Sequence, residues 1–204
     1  MQRQSHEEAA VGGRAEGQGG GSVPPRAGRR ATPSGVERRL GPEELIVTKT
    51  DLQGRITYAN EVFLRISALE EPETLGQPHN LIRHPEMPRG VFHRLWATLR
   101  DGREMFAYVK NLATDGAHYW VLAHITPSID ASGRPCGYHS NRRAPTWAGI
   151  PAVEEVYRHV RAAERGLGAR EAALAGDAAL DRLLAERGLT YEAWVWSLER
   201  EEAA

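Results

Sequence analysis

The segment GQPHNLIRHPEMP sets Arg83 beside His84, with Glu86 two residues on and prolines at either end. An arginine suits bidentate contact with an oxyanion, and imidazole is the side chain whose charge changes nearest neutral pH. Side by side they offer a cationic edge to a ligand that carries or develops negative charge. Pattern alone favours a plainer role for His84, since a histidine before proline in a loop commonly makes a local hydrogen bond. Asn60 and Asn111 are neutral groups that both donate and accept, placed at the edges of predicted elements. Their plain alternatives are a helix cap and a strand-edge residue. Trp96 falls on an apolar helix face, where core packing is the alternative to ligand contact. Trp120 alternates with Tyr119 along a strand, so only one of the two can face a pocket.

Other chemistry is poorly supplied. Cys136 is the single cysteine of the 204 residues, which excludes an internal disulfide framework and multi-cysteine metal sites. It is expected as a small buried hydrophobe at the start of the last strand. No Ser/His/Asp or Cys/His constellation and no Walker-type loop is present, and GQGGG lacks the lysine and the flanking elements that phosphate binding requires. An enzyme is not expected. The formal charge is -1, from 26 basic and 27 acidic residues, so no overall positive field favours nucleic acid. No apolar run reaches the roughly 20 residues of a membrane span, and the amino terminus has no secretory pattern. A reducing, cytoplasmic setting is the expectation.

The elements that must position these residues follow from periodicity. Residues 1–40 are Gly/Pro/Arg-rich and are expected to be a disordered tail. ELIVTKT and RITYA read as strands joined by the turn DLQG. Asn60 suits an N-cap, with Val62, Phe63 and Ile66 at helical spacing after it. Pro88 fits the first position of a longer helix, whose Val91, Phe92, Leu95, Trp96 and Leu99 share one face. REMFAYVKNLA and AHYWVLAHITPSI flank the tight-turn signal TDG, and PCGYHSNRRA forms a final strand. Helices resume from Ile150, with Asp177 and Thr190 expected as N-caps. These helices are either an appendage packed on the sheet domain or a docking surface. The order predicts an α+β fold: a five-stranded antiparallel sheet with short helices on one face over 42–147, then a small helical extension over 150–204.

The stretches TDLQGRITYANEVFLRIS, LGQPHNLIRHPEMPRGVFHRLWATLRDG, VKNLATDGAHYWVLAHITP and CGYHSNRRAPTW resemble a PAS domain. More narrowly, GQPHN-x-x-RHP-x-MP with VKN and HYWV resembles the flavin-binding PAS domain of bacterial aerotaxis receptors. The resemblance covers about residues 44–147. It implies non-covalent FAD, a redox- or oxygen-sensing role without catalysis, and cofactor contacts from Asn60, Arg83, His84, Glu86, Trp96, Asn111 and Trp120. The hollow between sheet and helices would be lined by Ile56, Phe63, Leu81, Leu95, Val109 and Leu122. Glu86 replaces the family's aspartate in HPDMP, and Met105 stands at a family tryptophan, which is expected to leave a looser pocket.

As a stand-alone sensor the chain would signal in trans, to a chemoreceptor or histidine kinase, or through a homodimer. A covalent flavin–cysteine photosensor is disfavoured because HNLIRHPEM contains no cysteine. Two other readings remain open: a haem-binding PAS gas sensor using His93 as axial ligand, and a cofactor-free interaction module.

Overall fold

A computed structural model describes residues 31–200. Its strands are β1 (Glu37–Arg38), β2 (Ile46–Thr50), β3 (Ile56–Ala59), β4 (Met105–Leu112), β5 (His118–Ile129) and β6 (Pro135–Arg143). The α-helices are α1 (Glu61–Ser67), α2 (Glu71–Thr74), α3 (Arg89–Arg100), α4 (Ile150–Glu164), α5 (Ala169–Ala185) and α6 (Tyr191–Arg200). A 3₁₀ turn covers His79–Ile82. The sheet runs β4-β5-β6-β2-β3 with every one of those pairings antiparallel. The chain therefore leaves the sheet at its β3 edge and re-enters at β4 on the far edge, carrying α1 to α3 across one face on the way.

The predicted α+β architecture with its five antiparallel strands is present, and a sixth, two-residue strand is added. Residues 1–30 of the expected tail lie outside the described residues. Residues 31–40 depart from that expectation: Glu37 and Arg38 pair in parallel with His118 and Tyr119, and Leu40 is buried. Arg38 also donates to the Ile66 carbonyl and pairs with Asp115. Ser34 adds hydrogen bonds to the Gly116 carbonyl, and no apolar periodicity announces so short a pairing.

Strand alternation divides β5 as the period-2 rule requires. Tyr119, Val121, Ala123 and Ile125 belong to an inner core with Ile46, Ile56, Phe63, Ile82 and Leu99. Trp120 and Leu122 belong to an outer core with Tyr108, Val153, Val156, Tyr157, Val160, Leu180, Trp194 and Val195. The sheet is thus covered on both faces, by α1 to α3 inside and by the carboxy-terminal helices outside. Of the two alternatives for those helices, packing on the sheet domain is what the structure shows. Glu199 on α6 ties down the last helix: it accepts from Tyr108 Oη at 2.5 Å and Arg143 at 2.7 Å.

Two caps behave as expected and one does not. Asn60 Oδ1 accepts from Phe63 N, and Thr190 Oγ1 accepts from Ala193 N. Asp177 lies in mid-helix instead, because α5 runs unbroken through Gly176. Its carboxylate is taken by Arg94 and His93 of α3. Cys136 is exposed rather than buried, its Sγ 3.4 Å from the Ser128 carbonyl.

Candidate functional site

A cavity of about 360 Å³ opens between the inner sheet face, the 3₁₀ turn and α3. Helix α3 supplies Phe92, Leu95, Trp96 and Leu99 to its wall; β4 and β5 supply Val109, Asn111, Ala123 and Ile125. The polar side is built from Thr48, His79, Arg83, Ser140 and Arg142. These come from three separate chain segments, β2, the 3₁₀ turn and β6, which the fold brings together. Trp96 stands edge-on to Tyr138, with ring centroids 5.2 Å apart. It also lies in van der Waals contact with the position a Cβ would take at Gly54, whose φ of +76° is a backbone conformation that favours glycine.

Three of the seven expected contact residues line this cavity: Arg83, Trp96 and Asn111. Arg83 stacks its guanidinium over Phe92 at 4.3 Å and donates to the Met87 carbonyl at 2.9 Å. Arg83 and Asn111 also meet as a backbone bridge, which brings the RHP loop onto β4. Asn111 is 3% exposed, and its Nδ2 is buried without a hydrogen-bond partner. A buried amide donor left unpaired is costly, so a group aimed this way calls for an acceptor from a ligand.

The other four lie elsewhere. Asn60 is consumed by the backbone: its Oδ1 accepts from Val47 N and Phe63 N, and its Nδ2 donates to the Leu45 carbonyl at 2.8 Å. His84 is turned away from the cavity and buried, and its Nδ1 accepts from Glu86 N at 3.2 Å. Burial, aided by the Lys110 charge, pushes its pKa down to about 4, although Glu86 opposes the shift. The imidazole is therefore neutral at neutral pH, and its 3.7 Å approach to Glu86 is not an ion pair. Glu86 itself accepts from Lys110 Nζ at 2.6 Å, and that bond holds its carboxyl below the usual range. Trp120 faces the outer core beneath Tyr157.

The expected wall shows the same division. Leu95 and Val109 line the cavity, Ile56 and Phe63 are buried in the inner core away from it, and Leu81 packs against that core. Leu122 points to the outer face. Met105 is buried with Met87 and Val91 and does not line the cavity, so the looser wall expected there is not how this volume is bounded. His93 reaches Asp177 at 3.1 Å and presents nothing to the cavity.

What pattern reading missed is a cluster around Arg142. This arginine is 6% exposed, and its Nη2 donates to Thr48 Oγ1 at 3.1 Å and His79 Nε2 at 2.7 Å. His79 is half-buried, and desolvation followed by the Arg142 charge holds its pKa well below the usual value. It is a neutral imidazole with the proton on Nδ1, since Nε2 receives the guanidinium. Burial likewise lowers Arg142, to about 10, so its charge persists at neutral pH. Arg142 Nη1 and Ser140 Oγ join Asn111 Nδ2 as buried atoms without a partner. Among the described residues no aspartate or glutamate lines the cavity. Alternation along β6 places Ser140 and Arg142 on one face, but nothing in SNRR distinguishes a buried arginine from its solvated neighbour Arg143.

Residues 56–142 match the family model described as PAS fold. The chain is 40% identical over 123 residues to the aerotaxis receptor of Escherichia coli, a match covering 60% of this chain and 24% of that protein. It is 31% identical over 87 residues to a nitrogen fixation regulatory protein of Klebsiella pneumoniae, covering 43% of this chain and 18% of the relative. It is 32% identical over 85 residues to the biofilm dispersion protein BdlA of Pseudomonas aeruginosa, covering 41% and 20%. The matched region thus spans less than a quarter of each of these relatives. Among the described residues no helix is long and apolar enough to cross a membrane. By sequence, the chain carries a PAS domain over residues 56–142, within a stretch similar to the aerotaxis receptor.

Proposed function

We propose that this domain senses redox state or oxygen through a flavin, FAD, held non-covalently in the cavity behind α3, and passes the signal to a partner by protein contact. One observation carries the reading. A mixed cavity at the low end of the ~300–1,000 Å³ of small-molecule sites is walled by aromatic and aliphatic side chains and ringed by three buried, unpaired polar atoms. That combination fits a flat heteroaromatic head with hydrogen-bonding atoms along one edge. Phe92, Trp96, Leu99 and Val109 would hold the ring system, and Asn111, Ser140 and Arg142 its polar edge. The bound flavin supplies a reversible redox couple. The chain's own part is to exclude water, fix the ring's orientation and respond to its change of charge.

The response has a structural route. Helix α3 gives one face to the cavity through Phe92, Leu95, Trp96 and Leu99. Its other face gives Gly90, His93 and Arg94 to α4 and α5. A shift of α3 as the ligand changes charge would alter how the carboxy-terminal helices sit, and these would engage the partner: a chemoreceptor, a histidine kinase, or a second copy in a homodimer. A non-enzymatic, cytoplasmic role is part of the same reading.

Against the haem alternative, His93 is engaged by Asp177 and His79 Nε2 by Arg142. The test is the spectrum of purified protein and its titration with FAD. Bands near roughly 370 and 450 nm, with stoichiometric uptake, are expected. A single intense band near roughly 400 nm would move the assignment to haem, and colourless protein that refuses FAD would leave an interaction module.

A further inference from the structure

From the buried guanidinium at the end of β6 we infer that Arg142 is the specificity-determining residue of the cavity, selecting a ligand whose inward edge is anionic. The inference rests on the flavin reading for its probe but on the fold for its evidence.

An arginine 6% exposed with no carboxylate beside it is an uncompensated interior charge. Interior charges are ordinarily paired, because desolvation otherwise costs several kcal/mol. Here the described residues supply only neutral acceptors. Thr48 Oγ1 and the neutral His79 Nε2 both engage Nη2, and Nη1 is left with none. Residues that ring the cavity provide no Asp or Glu to finish the job. His79 is held in the tautomer that accepts from Arg142, so it fixes the guanidinium plane without neutralising it. The missing counter-charge must come from what enters the cavity.

The companions of Nη1 narrow the ligand class. Asn111 Nδ2 is a pure donor, and Ser140 Oγ donates or accepts. Two unpaired donors and a hydroxyl, all buried, describe a partner rich in acceptors on one edge, such as adjacent carbonyl and deprotonated ring-nitrogen positions. A neutral ligand satisfies the hydrogen bonds alone; an anionic one also satisfies the charge. Arg142 therefore favours the anionic, reduced form of a flavin over the neutral oxidised form. Arg83, the arginine that the RHP motif points to, already spends its guanidinium on Met87 and Phe92.

Two measurements test this, using riboflavin and FAD as probes on the full chain. In the first, affinities for the oxidised and the dithionite-reduced flavin are compared at neutral pH. Wild type is expected to bind the reduced form about tenfold more tightly, as a charge-assisted hydrogen bond is worth. Arg142→Gln should bring the ratio close to one, and Arg142→Lys should retain part of the preference. An unchanged ratio in Arg142→Gln overturns the inference. The second measurement is the melting temperature without ligand. If the charge is kept for a ligand, Arg142→Gln melts at or above the wild-type temperature; if Arg142 is structural, it melts lower or fails to fold, which also overturns the inference. Wild type that binds flavin in neither redox state removes the flavin reading, while the ligand-free comparison still decides the role of Arg142.

Discussion

Gly90 on α3 and Gly176 on α5 meet backbone against backbone. A Cβ on Gly90 would run into the main chain at Gly176 and Asp177, and a Cβ on Gly176 would meet the Glu164 carboxylate. That carboxylate, at the end of α4, is there to cap α3: its oxygens accept from Arg89 N at 3.0 Å and Gly90 N at 2.8 Å. Pro88, preceding the helix, has no capping side chain, so the acceptors come from 75 residues away in sequence. Cavity wall and carboxy-terminal helices are thereby joined at one crossing. Gly90→Ala should destabilise the protein by about 1–3 kcal/mol, the cost of overpacking a close contact, seen as a fall in denaturation midpoint. A neutral result would mean that α3 and α5 part at no cost.

Glu164 can be tested separately. Removing its carboxylate in Glu164→Ala leaves two amides at the start of α3 without partners, which should cost about 0.5–2 kcal/mol. Glu164→Gln keeps one acceptor and should lose less. Equal losses in the two variants would assign the effect to packing against Gly176 rather than to the cap.

Acid should destabilise this protein well above the carboxylate range. His79, His84 and His118 are all held below their usual value, in each case chiefly by burial, and His84 is brought to about 4 from 6.5. An unfolded chain binds protons on these imidazoles below about pH 6.5, and the folded chain does not. Stability is therefore present above pH 6.5 and is lost as pH falls toward 4. Glu86 and Glu44, held below the usual carboxylate value, add a further loss only below about 4.5. Melting temperature should thus drop between pH 7.5 and 5, and His84→Asn should flatten that slope by up to one proton. A melting temperature indifferent to pH over that interval would contradict the burial of these rings.

The carboxy-terminal helices cover Tyr108, Trp120 and Leu122. Truncation after residue 149 would expose that face of β4 and β5, along with the carbonyl of Tyr108 that accepts from Tyr157 Oη at 2.8 Å. The truncated chain should bind hydrophobic dyes and associate, because an exposed apolar patch of this kind is an aggregation surface. A monomeric, dye-silent product would show that the helices are dispensable to the sheet.

These results also mark where pattern reading reaches its limit. Strand and helix order follows from apolar period, and the Asn60 and Thr190 caps from local residue chemistry, because both signals are confined to a few neighbours. The face assignments do not follow. Tyr119 and Trp120 are both fully buried, since the sheet is covered twice, and alternation cannot say which cover holds the ligand. His84 and Arg142 show the same limit for charge. The histidine of the motif is sealed behind the loop by Lys110 and Glu86, whereas the arginine without a motif is carried into the cavity by the register of β6 with β2. Asp177 reads as a cap until Arg94, 83 residues earlier, comes to lie beside it. Each miss involves a partner that only the tertiary fold supplies.

Asn60 and Asn111 give a final contrast, because two residues of one type are placed in opposite circumstances. Asn60 makes three backbone hydrogen bonds that lock α1 to β2. Asn60→Ala should therefore lower stability by about 2 kcal/mol, a cap plus buried backbone partners left unpaired, with flavin affinity per folded molecule unchanged. Asn111 spends nothing on the chain through Nδ2, which is buried and unpaired. Asn111→Ala should leave the ligand-free melting temperature level or slightly raised, since an unsatisfied donor has been removed, and should weaken flavin binding roughly tenfold. Fluorescence titration and thermal melts on both variants separate the two roles. The reverse pattern, with affinity lost at Asn60 and stability lost at Asn111, would require the amide of β4 to be structural and the ligand to sit nearer α1 than the cavity does.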